Sequence, residues 1–99
     1  MKVIEITDGE YTWQLPLEIV AKDRAAYYAK KDSEDGDGSY DDLYKAEFEH
    51  TMTDDYDGID WYQNNMNWVG VKDSAKLIKR PEGDPEPSVD AEYEISEAA

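Results

Sequence analysis

Ninety-nine residues give room for one small domain with a single core. Asp and Glu number 25 against 10 Lys and Arg, and the formal net charge of -15 opposes binding to a nucleic-acid backbone and favours a basic protein as partner. The absence of cysteine excludes disulfide frameworks, thiolate metal sites and thiol catalysis.

Lys2 to Ile6 is short and rich in β-branched residues, and Asp8-Gly9 after it supplies a tight hairpin turn. Tyr11, Trp13 and Leu15 then alternate with Thr12 and Gln14, which predicts a second strand with one buried face. Pro16 suits the first turn of a helix, and Leu17, Val20, Ala21, Ala25 and Tyr28 recur at helical steps to about Lys31. Residues 32 to 39 hold four acids, two glycines and nothing apolar, and read as an exposed loop.

Ser39 is the expected N-cap of a second helix, with Asp41 and Asp42 in its first turn and Tyr40, Leu43, Tyr44, Phe48 and Met52 as its apolar stripe. A break over residues 54 to 58 precedes a shorter helix that turns Ile59, Tyr62 and Met66 inward, with Trp61 and Trp68 flanking a turn at Asn64-Asn65. Ala75 to Arg80 reads as a third strand, and residues 81 to 88, with three prolines, as a loop. Val89, Ala91, Tyr93 and Ile95 alternate with Asp90, Glu92, Glu94 and Ser96, the pattern of a fourth strand with an acidic outer face; residues 96 to 99 are expected to form a disordered end. The predicted fold is one α+β domain, ββααα-ββ, a four-stranded mainly antiparallel sheet with two to three helices on one face.

No stretch approaches 18 consecutive apolar residues, and the start carries charge within its first five positions, at Lys2 and Glu5, so no membrane span or signal peptide is read and a cytoplasmic protein is expected. Nothing points to an enzyme or to a cofactor. His50, the one histidine, lies on the acidic face of the second helix without a motif that would make it catalytic, and reads as solvated. The loop before that helix offers Ser33, Asp35 and Asp37 at positions one, three and five of a calcium loop when Gly38 takes position six. Tyr44 then stands where the closing glutamate belongs, so no metal site is assigned, and loop-based calcium binding is the third functional reading.

Charge is distributed unevenly. Residues 1 to 31 are neutral overall, residues 32 to 65 carry -11 with Lys45 as the lone base, and residues 66 to 99 carry -4. Repulsion within such a segment costs folding free energy, so a directed electronegative surface is the leading reading, with halophilic adaptation as a competing source of acids. The candidate partner-binding residues are Asp35, Asp37, Asp41, Asp42, Glu47, Glu49, Asp54, Asp55, Asp57, Asp60, Asp90, Glu92 and Glu94. Lys76, Lys79 and Arg80, on the strand before the acidic one, are expected to neutralise part of the final row across strands.

In composition alone the chain is similar to the DNA-mimic proteins that phages use against restriction enzymes, CRISPR effectors and repair glycosylases. That resemblance implies an inhibitor that docks on a basic nucleic-acid channel, working as a monomer or weak homodimer. It assigns no residue, because no motif defines the class. The alternative is a structural or accessory protein that assembles through an aromatic face built on Trp61 or Trp68, its acids serving solubility.

Overall fold

A computed structural model describes residues 1–54, 56–79, 86–88 and 90–98. Four strands, β1 (Lys2–Asp8), β2 (Tyr11–Pro16), β3 (Lys76–Lys79) and β4 (Glu92–Glu97), form one antiparallel sheet in the order β3-β2-β1-β4. The described residues also form four helices: α1 (Leu17–Glu34), α2 (Tyr40–Thr53), α3 (Asp57–Asn65) and the single turn α4 (Trp68–Val71). The α+β class and the order of elements agree with the sequence pattern, while α4 is an addition whose four residues are too few to show a period.

Alternation decides which face of the sheet is covered. Ile4 and Ile6 stand opposite Leu15 and Trp13 on one side and Ile95 and Tyr93 on the other, and this face meets Leu17, Val20, Trp61, Tyr62 and Val71 from the helices. The opposite face carries Glu5, Thr7, Gln14, Lys76, Glu92 and Glu94, with Val3 and Thr12 buried on it.

Several boundaries differ from the sequence pattern. The two-residue hairpin loop is Gly9-Glu10, because Asp8 is still paired with Tyr11. Pro16 closes β2 opposite Val3, so the chain enters α1 at Leu17 without a side-chain cap. Helix α1 continues past Lys31 to Glu34 because Gly36, at φ 83°, takes the left-handed position beyond its end. The Gly36 N–H donates to the Ser33 carbonyl and the Asp37 N–H to the Asp32 carbonyl, the paired bonds of a Schellman ending.

Strand β4 begins at Glu92, with Asp90 in the preceding turn, and it includes Ser96 and Glu97, where the sequence pattern predicts a disordered end. The Ala98 N–H donates to the Met1 carbonyl at 2.8 Å and continues the ladder. Arg80, Val89 and most of the proline-rich stretch lie outside the described residues.

The helices pack by two devices. Ala21, Ala25 and Ala29 are fully buried at four-residue steps on α1, and their small side chains let α2 approach closely in an antiparallel hairpin. Gly58 plays the same part in α3: a Cβ there would meet Leu17 Cδ1 at 2.5 Å. The stripe read on α2 is only half-buried, and Tyr40 is exposed; the residue of α2 that is fully enclosed is Thr51. With α1 alone about 27 Å long, the hairpin gives the molecule an elongated outline of 51 × 24 × 20 Å.

Candidate acidic interaction surface

At the turn of the α1–α2 hairpin the Schellman ending folds Asp37 back on Asp32, and the carboxylates of Asp32, Asp35 and Asp37 come within 4.8 Å of one another. The chain then enters α2 through Ser39, whose hydroxyl accepts from the Asp42 N–H, as its position before the acidic first turn leads one to expect. Asp35, Asp37, Asp41 and Asp42 are all exposed at this end. Fourteen helical residues, about 20 Å, separate them from the other end of α2.

That second end is built differently. The Asp54 Oδ1 accepts the backbone N–H groups of Tyr56 and Asp57, both at 2.8 Å, and caps the start of α3. These two bonds hold the Asp54 carboxyl below its ordinary pKa, with His50 and Arg24 nearby adding to the effect. His50 pairs with Asp57, Asp60 accepts from Asn64, and Glu47 accepts from Arg24 at 2.7 Å. The Arg24 guanidinium also reaches the Thr51 hydroxyl and lies over the Tyr28 ring. Glu47, Asp54, Asp57 and Asp60 are thus half-buried and engaged in the fold, whereas Glu49 is exposed. Asp55 lies outside the described residues.

The third group is on β4. Glu92 and Glu94 are exposed on the open face of the sheet, and Asp90 is exposed in the turn before it. Among the described residues the expected cross-strand neutralisation is absent: β2 and β1 lie between β3 and β4, so Lys76 stands opposite Gln14 and Lys79 opposite Thr12 at the other edge, while Arg80 lies outside the described residues. Adjacency in sequence suggests adjacency in space, but β3 and β4 occupy opposite edges of the sheet. Opposite Glu94 stands Glu5, an acid the sequence pattern had left out because it falls in the neutral third.

The aromatic residues divide between core and surface. Trp61 is 8% exposed, packs against Tyr27 and Tyr28, and donates its indole N–H to Asp23 at 2.8 Å. Trp68 meets Trp13 edge-on and, with Val69, Lys72, Ala75 and Leu77, lines an open cleft of about 720 Å³. Tyr40, Tyr44 and Phe48 form a run of ring contacts along α2. Burial raises the pKa of Tyr62 to about 12, with Tyr93 contributing, and raises that of Tyr93, with Asp8 contributing.

Two groups of three ligand-type side chains occur among the described residues: His50, Asp54 and Asp57, and Asp32, Asp35 and Asp37. In the first, every member already has a hydrogen-bonded role at the α2–α3 junction. Among the described residues, no helix is long and apolar enough to cross a membrane. Compared with known protein families, curated proteins and solved structures, the chain matches none.

Proposed function

We propose that the chain is a small non-enzymatic binding protein, an inhibitor that docks exposed carboxylates on the basic channel of a nucleic-acid-binding enzyme or effector. The observation that carries this reading is the state of the acids. Asp35, Asp37, Asp41, Asp42, Glu49, Asp90, Glu92 and Glu94 are exposed, and among the described residues none of them forms an ion pair. They lie in groups at the α1–α2 turn, on α2 and around β4.

The magnitude fits a partial imitation of a duplex. B-DNA carries one charge per about 1.7 Å of axis, so a 51 Å length holds about 30 phosphates, against a net charge of -15 here. Half the density suffices for steering, because oriented charge acts on encounter before contact is made. A cytoplasmic setting goes with this role, since the enzymes it would block work on nucleic acid there.

A binding screen against nucleases and CRISPR effectors, with DNA as competitor and at low and high salt, tests the reading. Binding that competes with DNA and weakens with salt is expected; a partner held equally well at high salt would exclude the electrostatic mechanism. The second reading, assembly through aromatic residues, is favoured by the exposed end of the Tyr40, Tyr44 and Phe48 run, since Trp61 is enclosed. Sedimentation over a range of concentrations separates the two: a monomer or weak dimer accords with the inhibitor, a larger oligomer with assembly.

A further inference from the structure

One cross-strand row on the open face of the sheet is unbalanced in charge. Lys76, Gln14, Glu5 and Glu94 follow one another from the β3 edge to the β4 edge. Glu5 and Glu94 therefore stand directly opposite, where like charges repel, and Glu92 lies two residues along on the same face. Beyond Glu94 the row stops, because among the described residues β4 is paired with β1 alone.

The backbone on that free side can be assigned from the ladder. Met1 and Ala98 face each other through a bond in each direction, Ala98 N–H to Met1 carbonyl and Met1 amino group to Ala98 carbonyl. Hydrogen-bonded pairs in an antiparallel ladder recur at every second residue, so Ser96, Glu94 and Glu92 bond to β1. Tyr93, Ile95 and Glu97 consequently turn their N–H and C=O groups away from β1, toward the open edge.

We propose that β4 is a strand-addition site for an extended segment of a basic protein, with Lys or Arg at alternate positions and apolar residues between them. The proposal rests on the reading of a basic partner given above and specifies the form that partner takes. A cation placed beyond Glu94 or Glu92 would end the row in an opposite charge and offset the repulsion between Glu5 and Glu94. The intervening apolar side chains would extend the Ile4–Ile95 and Ile6–Tyr93 rows on the face that packs on the helices. Main-chain bonds from Tyr93, Ile95 and Glu97 would supply affinity, and the alternating side chains the selection. The same two acids disfavour pairing with another β4 or with an acidic strand.

The test uses the intact protein and three synthetic peptides: one alternating Lys and Val, one of the same composition with its lysines in a block, and the alternating one N-methylated at each Val. The valines are the residues whose N–H groups would face Tyr93, Ile95 and Glu97. The alternating peptide is expected to bind and to slow amide exchange at those three residues, and each of the other two to bind about tenfold more weakly. Equal binding of the block peptide, or slowed exchange on the α1–α2 hairpin instead, would overturn the strand-addition site while leaving a basic partner for the acidic surface. Slowed exchange at Tyr93 and Ile95 that depends on protein concentration without peptide would assign the edge to a second copy and overturn it too. Failure of the nuclease and effector screen, with the peptide result intact, would instead count against the inhibitor reading alone.

Discussion

Trp61 shows how one side chain ties two helices, α3 and α1, together. Its ring is enclosed between α3 and the tyrosines of α1, and its one polar atom is satisfied by Asp23. Replacing Asp23 with Ala leaves an indole N–H with no acceptor, and the expected loss of about 1–2 kcal/mol is readable by urea denaturation followed through tryptophan fluorescence. Gly58→Ala is expected to cost about 1–3 kcal/mol by the same measurement, because the new methyl group would displace Leu17, itself fully buried. Asp54 gives a dependence on pH of defined sign. Its folded pKa lies below the ordinary 3.8, so its contribution is present above that value and fades as pH falls through the folded one. The stability gap between the native chain and an Asp54→Ala variant should accordingly narrow on acidification toward pH 3; a constant gap would deny the carboxylate this role. None of these roles is legible in sequence, whereas the capping of α2 by Ser39 is. Asp23 and Trp61 are 38 positions apart, and nothing in their spacing brings them together.

The elements were more readable than their arrangement. Period-2 alternation located β2 and most of β4, helical spacing located α1, and turn chemistry located the first hairpin. Gly36 could have placed the end of α1 correctly had the acids of residues 32 to 35 not suggested a loop; in a Schellman ending it is the glycine, and not the charge, that marks the stop. The order of strands could not be read, since hydrophobic alternation names a buried face without naming a neighbour. That order has an energetic consequence at the pair Glu5 and Glu94. Glu94→Lys would convert repulsion to attraction and is expected to raise stability by a few tenths to about 1 kcal/mol, checked by thermal melting at low salt. At the far end of the hairpin, where α2 has no fully buried residue, amide exchange should be much faster over residues 35 to 45 than in β1.

For the whole molecule, charge is the dominant physical fact. With a net charge of -15 on 99 residues, added salt is expected to raise the melting temperature by screening self-repulsion, the reverse of what a protein held by surface ion pairs would show. Reversal of Asp35, Asp37, Asp41, Asp42 and Glu49 to Lys should weaken partner binding and slow association with the circular dichroism spectrum retained, because all five are exposed and, among the described residues, none forms an ion pair. Asp54 is left out of that set because its cap belongs to α3. The sequence revealed how many acids there are and in which third they concentrate; it did not separate the exposed ones from Glu47, Asp54, Asp57 and Asp60, whose partners are set by the meeting of α1, α2 and α3. A different consequence follows from the central place of β1 between β2 and β4. Its first neighbour is made within a few residues of leaving the ribosome, but its second arrives only after some eighty more have been translated. Through that interval the nascent chain carries an apolar strand with a bare flank, so sheet closure belongs to the slow, non-local class of folding steps, and the early acidic hairpin would be the feature that keeps neighbouring chains apart on a polysome.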